Sequence, residues 1–237
     1  MILEADASQL EWRVAADLSK DPVMLQEIAT NIDQHQASLD EVFKGKGERV
    51  DAKIFNFRMI YKTSAWGLYN DPKMPPFSQD QYQKMINTFM AKYSRLAEWH
   101  QELIKEVYRT GQLVNPNGRV LKFDKVDKKD GSRGYNVSQI ANYPVQSFAF
   151  DLVALAIAMI RKRIRNMQAK LVMIVHDSGV FDVPEEEVSS LARICVQSFS
   201  KVPALVKHYW GYTMDVPIDS EVKVGPSWGE MEVYDES

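Results

Sequence analysis

The sequence begins with a predicted β-strand, and this strand limits the folds that the chain can adopt. Residues 1–6 (MILEAD) predict a short β-strand that ends in a carboxylate and has no preceding element to pair with. Its partners must therefore come from far along the chain, where the apolar runs 171–175 and 179–183 predict a hairpin over about 171–183, and 218–224 predicts a closing strand. Helical stretches separate these strands, so we expect an α+β fold with a small antiparallel sheet.

Helical patterns occupy the long interval between the predicted strands. The pattern over 9–28 is interrupted at Pro22, which predicts two helices. Another helix is predicted over about 47–68, and a capping-box signature at 78–81 begins a long helix that ends near residue 110. The remaining predicted elements are a buried apolar helix over 145–167, a helix over 184–199 and a charged loop over 124–134.

The composition is that of an ordinary globular protein. The chain has 237 residues, of which 45% are hydrophobic and 26% charged, enough for one or two domains. No run of about 18 apolar residues is present, so we predict no membrane span. The single cysteine, Cys195, favours a reducing compartment, the cytoplasm of the cell or of a host. A net charge of -3 argues against a surface that binds nucleic acid all round, although cations cluster over 44–62 and 161–165.

Two carboxylates lie at the ends of the predicted strands. Asp6 closes the first strand and Asp177 lies at the hairpin turn, so both are candidates to share a hard divalent cation, which prefers oxygen ligands. Each residue also has a simpler interpretation. An Asp at a strand end is more often a turn or cap residue, Ser8 with Glu11 can form a capping box, and a His-Asp pair at a hairpin tip is common turn chemistry. Taken singly, these residues leave both interpretations open.

A stripe of cations and aromatics lies on the helix predicted over 47–68. Arg49, Lys53, Phe57 and Tyr61 recur every four residues and therefore share one slowly rotating helix face. Two cations followed by two aromatics suit a ligand with a polyanionic end and a flat apolar end, as in a nucleoside triphosphate. The alternative is a pair of snorkelling cations that flank a buried aromatic pair.

Five segments together resemble the family A DNA polymerases, the relatives of bacterial DNA polymerase I and several phage replicases. Residues 6–13 resemble motif A, residues 49–61 resemble motif B, which is the O helix of the fingers, and residues 175–177 resemble motif C. Residues 33–35 (DQH) are similar to the family's intervening His element, and residues 142–146 to its segment beside the primer-template. The five segments follow the family's order and cover nearly the whole chain.

The resemblance implies template-directed DNA synthesis from a dNTP with two Mg²⁺ ions. Asp6 and Asp177 would hold the ions together with the backbone carbonyl of Ala7. The implied nucleotide-binding residues are Arg49, Lys53 and His35 at the phosphates, Phe57 at the sugar and base, Tyr61 near the templating position, Glu11 at the 2′ position, and Gln9. The implied DNA contacts, on the minor-groove side of the primer end, are Arg13, Asn142, Gln146 and His176.

The sequence departs from the family's pattern at a few motif positions. Ser178 stands where motif C usually has Glu, which removes a third carboxylate. Arg58 and Lys62 stand where glycines usually follow the O-helix Phe and Tyr, which adds charge beside the nucleotide site. Ala7 replaces an aromatic residue, a mild loss because the backbone carbonyl is retained. The metal site would then depend on the two aspartates of motifs A and C.

The resemblance also implies how the chain is organised. Residues 1–30 and 141–237 would form the palm, and 31–140 the inserted fingers. The family's thumb and first palm strands precede motif A and have no counterpart in this sequence, so we expect a separate N-terminal polypeptide as partner, beside primer-template DNA and dNTP. The alternatives are a non-catalytic DNA-binding or complex-forming subunit, and a metal-dependent nuclease, which would leave the stripe unexplained.

Overall fold

The structure is a computed structural model that describes residues 1–127 and 131–235. Along the chain, blocks of helices alternate with blocks of strands. The strands are β1 (Ile2–Ala7), β2 (Gln112–Val114), β3 (Val120–Lys122), β4 (Val126–Asp127), β5 (Arg133–Gly134), β6 (Lys170–Val175), β7 (Ser178–Asp182), β8 (Ser220–Gly225) and β9 (Glu232–Val233). The helices are α1 (Leu10–Ser19), α2 (Pro22–Ala29), α3 (Gln34–Glu41), α4 (Arg49–Ile60), α5 (Ala65–Tyr69), α6 (Gln79–Lys92), α7 (Ser94–Thr110), α8 (Val137–Arg163), α9 (Val188–Ser200) and α10 (Val202–Trp210). This order is the α+β class predicted from the sequence.

The chain divides into two units, one of which is discontinuous. The first unit comprises Met1–Glu11 and Gln146–Ser237, and the second comprises Trp12–Val145. The first boundary follows residue 11 rather than residue 30, so α1 and α2 belong almost wholly to the second unit. The names palm and fingers for these units remain predictions.

The first unit is built on an antiparallel sheet with the strand order β6-β7-β1-β8-β9. Strand β1 is central, with β7 on one side and β8 on the other, so the outer strands are β6 and β9. Because side chains alternate along a strand, Leu3, Ala5 and Ala7 lie on a fully buried face of β1. Glu4 and Asp6 lie half-buried on the opposite face, which is where the candidate site lies.

Helix α8 packs closely on the buried face of this sheet. A Cβ atom at Gly179 of β7 would lie only 2.5 Å from Cδ1 of Ile157. Glycine therefore leaves the space into which the buried Ile157 side chain fits. The residues of α8 on this side, Leu152, Val153, Ala156 and Ile160, are also buried, in agreement with the buried helix predicted from the sequence.

Length and composition alone would let α8 cross a membrane. It is the one such helix in the described part of the chain, with a mean hydropathy of 1.6 in its most apolar window, and 56% of that window is buried inside the protein. The core helix of a soluble protein meets the same criterion. The composition of α8 is therefore only weak evidence for a membrane span and does not indicate one.

The second unit is mostly helical and has an aromatic core. Trp12, Phe55, Phe89 and Tyr93 are fully buried and pack edge to face, with ring centroids between 4.6 and 6.4 Å apart. The hydroxyl of Tyr93 donates a hydrogen bond to the Glu27 carboxylate at 2.9 Å. These contacts join α1, α2, α4 and α6 into one packed core.

Strong local signals in the sequence correspond to the observed elements. Helix α2 begins with Pro22 at its first position, directly after the break that was predicted. The capping box is confirmed, because Ser78 Oγ accepts the Gln81 N–H at 3.2 Å and Gln81 Oε1 accepts the Ser78 N–H at 2.8 Å. The predicted hairpin is β6 with β7, and the predicted closing strand is β8.

The prediction of one continuous helix over 47–68 is wrong beyond residue 60. Helix α4 ends at Ile60, Tyr61 is its C-cap, and Lys62 has a positive φ of 52°. A residue in the left-handed region cannot continue a right-handed helix, and Ser64 then caps the separate helix α5. The last aromatic of the predicted stripe therefore lies outside α4.

The single long helix predicted to about residue 110 is two helices, α6 and α7. They meet at Tyr93, and the N–H of Leu96 in the first turn of α7 donates to the Asp21 carboxylate at 3.0 Å. This acceptor from another helix satisfies an N–H that a helix start otherwise leaves unpaired. Gly111, with φ of 74°, ends α7.

Smaller differences concern elements with weak sequence signals. The apolar helix predicted over 145–167 begins earlier, since α8 includes Pro144. The loop predicted over 124–134 contains the short strands β4 and β5, and its residues 128–130 lie outside the described part of the chain. Helices α3 and α10 and strand β9 were not predicted.

Asp21 is a fully buried carboxylate that caps two helices. Its Oδ1 accepts the N–H groups of Val23 and Met24 at 3.0 and 3.1 Å, and its Oδ2 accepts that of Leu96. We expect Asp21→Ala to lower the free energy of unfolding by about 3 kcal/mol, because buried donors lose a charged acceptor. Urea unfolding measures the loss. Ser78→Ala, which removes an exposed cap, is the control and should cost about 1 kcal/mol; equal losses would contradict the double-capping role.

His100 makes stability depend on pH. It is buried, its Nε2 lies 2.9 Å from the Ile60 carbonyl oxygen to which it donates, and burial, with the charge of Lys62, lowers its pKa from 6.5 to about 4. Between these values the unfolded chain binds a proton that the native state does not, so the free energy of unfolding should fall as the pH falls from 6.5 to about 4, by about 3 kcal/mol. His35 has a pKa lowered in the same direction, so His100→Gln, which retains a donor, should make this part of the pH profile shallower without flattening it; an unchanged profile would contradict the assignment.

Candidate active site

The carboxyl groups of Asp6 and Asp177 lie side by side at one end of the sheet. Asp6 is opposite Ser178 in the β1–β7 register, and Asp177 lies in the two-residue turn between β6 and β7. His176 in this turn has a positive φ of 53°, and the Asp177 carbonyl accepts the N–H of Ala7 at 3.1 Å. The two carboxyl groups are close enough for the charge of Asp177 to act on Asp6. Strand pairing thus brings together the two aspartates that the sequence predicted as one site.

The electrostatics of Asp6 favour a bound cation. Its pKa is raised from 3.8 to about 6, mainly by burial, then by the negative charge of Asp177 and the hydrogen bond to it, and further by the charge of Glu4. Lys223 on β8 acts in the opposite direction. Neighbouring carboxylates repel each other, so a cation between them would stabilise the ionised form of Asp6.

The oxygen donors of this site fit Mg²⁺. This ion usually keeps several waters and binds one or two carboxylates together with substrate phosphates. Asp6 and Asp177 supply two carboxylates, and the backbone of Ala7 continues β1 beside them. Within residues 1–127 and 131–235, no group of three or more His, Cys, Asp and Glu side chains is arranged to hold a metal. Water and substrate would therefore have to supply the remaining ligands.

The cationic face of α4 lies in the second unit. Arg49 is the first residue of α4, Lys53 follows one turn later, and both side chains are exposed, whereas Phe57 is half-buried. Arg49 forms a two-pronged ion pair with Asp33, with Nε to Oδ2 at 2.6 Å and Nη2 to Oδ1 at 3.1 Å. Asp33 also caps α3 by accepting the His35 N–H. Exposed ion pairs are weak, so a phosphate can compete for Arg49.

His35 is placed differently from the phosphate ligand that the sequence predicted. Only 3% of it is exposed, its Nδ1 lies 3.1 Å from Asn56 Nδ2, and its ring is 6.1 Å from that of Phe57. Burial, and then the charge of Arg49, lowers its pKa from 6.5 to about 4. The ring is therefore neutral near pH 7 and has little surface for a phosphate. This geometry suits a residue that positions α3 against α4.

Arg58 and Lys62 stand at the positions where the family usually has glycines. Arg58 pairs with Asp71, with Nε to Oδ2 at 2.8 Å, which ties the segment after α5 to α4. Lys62 is half-buried at the end of α4, and burial lowers its pKa. The extra charge expected at the nucleotide site is thus balanced at Arg58 by a neighbouring carboxylate.

The other predicted site residues lie on helix ends, on α8 and at the hairpin turn. Glu11 is in the first turn of α1, directly after Gln9, whose φ is 53°. The predicted DNA contacts are Arg13 on α1, Asn142 and Gln146 four residues apart on α8, and the exposed His176 between β6 and β7. Their roles towards nucleotide and DNA stay predictions.

Two charged residues near Asp6 were not predicted. Glu4 precedes Asp6 by two positions, and strand alternation alone could have placed it on the same face. Lys223 lies opposite Glu4 on β8, which no sequence signal indicated, because the pairing of two distant strands sets it.

Comparison with solved structures defines the fold. The chain is similar to the POL domain of Pol1 from M. smegmatis, solved in complex with DNA primer-template and dNTP, with a TM-score of 0.79 and 21% identity over 96% of this chain and 40% of that one. The fold is therefore that of a part of a DNA polymerase POL domain.

Comparison of sequences defines the family. The model of DNA polymerase family A matches residues 1–230, and the chain belongs to this family. It is 27% identical over 235 residues to the thermostable DNA polymerase I of Thermus aquaticus, covering 96% of this chain and 27% of that protein. It is 24% identical over 241 residues to the DNA polymerase of Bacillus phage SP01, covering 97% of this chain and 26% of that protein. The chain thus spans little more than a quarter of the length of these relatives.

Proposed function

We propose that this chain carries out template-directed DNA synthesis, in which the primer 3′-oxygen attacks the α-phosphorus of a dNTP and pyrophosphate leaves. The observation that carries the proposal is the strand pairing that places Asp6 opposite Ser178 and therefore next to Asp177, at the positions that resemble motifs A and C. Membership in DNA polymerase family A supports the reaction class.

Asp6, Asp177 and the backbone carbonyl of Ala7 would hold two Mg²⁺ ions. When bound, these ions would supply a lowered pKa at the primer 3′-hydroxyl and charge neutralisation on the triphosphate. The carboxylates fix the position of the reacting groups, since β1 and the β6–β7 turn belong to one hydrogen-bonded sheet. Catalysis of this kind consists of positioning and electrostatic stabilisation.

The exposed face of α4 would bind the incoming nucleotide. Lys53 and Arg49 would contact the triphosphate, with Arg49 exchanging the Asp33 carboxylate for a phosphate. Phe57, half-buried against His35, would pack on the sugar and base. His35 would hold Phe57 and α3 in position and would not contact a phosphate.

Selectivity and DNA contacts would come from residues whose roles follow from the family resemblance. Glu11 would restrict the 2′ position, Gln9 would line the nucleotide site, and Tyr61 would lie near the templating base. The proposed contacts to the minor-groove side of the primer end are Arg13, Asn142, Gln146 and His176, which would test pairing shape without reading sequence.

We also propose that the chain acts with an N-terminal polymerase polypeptide that carries the thumb and further palm strands. The outer strand β6 supports this, because its Val172 and Ile174 are 57% and 42% exposed. The complex would work in the cytoplasm, or in the host cytoplasm for a phage protein.

Primer extension with Mg²⁺ tests the partnership. The isolated chain should show little or no extension, and addition of the N-terminal polypeptide should restore it. Unaided extension by a monomeric chain would refute the partnership and leave the activity intact. A complex that forms but does not extend primers would favour the non-catalytic subunit instead.

A further inference from the structure

Ser178 occupies the position at which motif C usually carries a carboxylate, and its side chain contacts a carboxylate from another strand. Ser178 is 2% exposed, and its Oγ lies 2.7 Å from Oε1 of Glu4 and 3.1 Å from the Val175 carbonyl oxygen. The hydroxyl donates to an acceptor, and the closer one is the Glu4 carboxylate. A carboxylate is therefore present beside residue 178, but β1 supplies it.

Glu4 belongs to the face of the sheet that carries the candidate metal site. It lies two residues before Asp6 on the same face of β1, and Asp6 is itself opposite Ser178 on β7. The Ser178 hydroxyl therefore connects Glu4 to the position on β7 that lies opposite Asp6.

The charged groups around Glu4 leave the site with an excess of negative charge. Lys223 lies opposite Glu4 on β8, but its Nζ is 3.1 Å from Oε1 of Glu221, which lies opposite Asp6. Asp182 lies further along β7, opposite Ile2. Lys170 on β6 lies opposite Asp182. Two lysines therefore face a larger number of carboxylates on this side of the sheet.

We propose that Glu4 supplies the third negative charge of the cation site, held in place by the Ser178 hydroxyl, so that the carboxylate absent from motif C is replaced by one on β1. The inference rests on the function proposed above. Glu4 is a positioning residue in this account. Within the described residues, no third His, Cys, Asp or Glu is arranged with Asp6 and Asp177 to hold a metal. Glu4 therefore acts on the cation through its charge and not as a direct ligand.

Binding of Mn²⁺, followed by the electron paramagnetic resonance signal of the free ion, tests the proposal without an activity assay. Glu4→Gln keeps the size of the side chain and an acceptor for Ser178, and should weaken Mn²⁺ binding about tenfold. Asp182→Asn removes the same charge further along the sheet and should change the affinity by less than about twofold. Circular dichroism and thermal unfolding check that each variant is folded.

The decisive variant exchanges the two side chains. Glu4→Ser alone should weaken Mn²⁺ binding as Glu4→Gln does, and Glu4→Ser combined with Ser178→Glu should restore the affinity to within about threefold of the original. Rescue supports the proposal, because a merely structural role of Glu4 would not be restored by a carboxylate on β7. A double variant that folds but stays weak would overturn it.

The variant Asp177→Asn distinguishes a failure of the proposed role of Glu4 from a failure of the proposed metal site. If Asp177→Asn abolishes Mn²⁺ binding and Glu4→Gln leaves it unchanged, the role of Glu4 is refuted and the metal site stands. If Asp177→Asn leaves the affinity unchanged, the metal site itself is wrong, and the role of Glu4 is refuted with it.

Discussion

Asp6→Asn and Asp177→Asn should each reduce nucleotide incorporation by about a thousandfold or more. Each change leaves the side chain nearly the same size but removes one of the two carboxylates that would hold Mg²⁺. Single-nucleotide extension of a labelled primer by the complex with the N-terminal polypeptide measures the loss. Thermal unfolding should show that both variants are folded, because neutralising one carboxylate removes the repulsion between Asp6 and Asp177.

Asp182→Asn is the matched control for these two variants. Asp182 ends the neighbouring strand β7 and is exposed, so loss of its charge should leave incorporation within about twofold of the original rate. Retention of more than a few percent of activity in either Asp6→Asn or Asp177→Asn would contradict the assignment of both aspartates.

Lys53→Ala should lower kcat/KM for the incoming dNTP on the order of a hundredfold. Lys53 is exposed on α4, one turn after Arg49, and would place its charge on the triphosphate. Steady-state incorporation at varied dNTP concentration measures the effect. Lys84→Ala, which removes an exposed cation from α6, is the control and should leave kcat/KM unchanged. Equal, small effects of both variants would favour the interpretation of Lys53 as an ordinary surface cation.

Local signals explain why parts of the fold could be predicted from the sequence. The capping box of Ser78 and Gln81 and the break at Pro22 depend on neighbouring residues only, and each has the predicted form. The strand that carries Asp6 and the hairpin that carries Asp177 have clear apolar runs. Their pairing could be anticipated because the first strand needs partners from later in the chain.

Long-range contacts explain most of what could not be predicted. The break between α6 and α7 at Tyr93 is capped by Asp21 from another helix, and no local pattern reports such an acceptor. The end of α4 depends on the left-handed conformation of Lys62, which a residue of this type adopts only in a suitable context. Periodicity alone therefore made both helices too long.

The same distinction applies to the candidate site. Residue types and spacing identified Asp6 and Asp177, and the stripe on α4, but not the surroundings that set their chemistry. The burial of His35 and its contact with Asn56 make it neutral, whereas its place in a motif indicated a phosphate ligand. The hydrogen bond from Ser178 to Glu4 was likewise invisible until β1 and β7 were paired.

Templated incorporation is the direct test of the proposed DNA synthesis. The complex of this chain with the proposed N-terminal polypeptide is given a primed DNA and Mg²⁺ with each dNTP in turn, on four templates that differ only in the first unpaired base. The account predicts extension by one nucleotide with the complementary dNTP on each template, and none when Asp177→Asn replaces the original chain. Absence of extension on every template, or extension that ignores the template base, would contradict it.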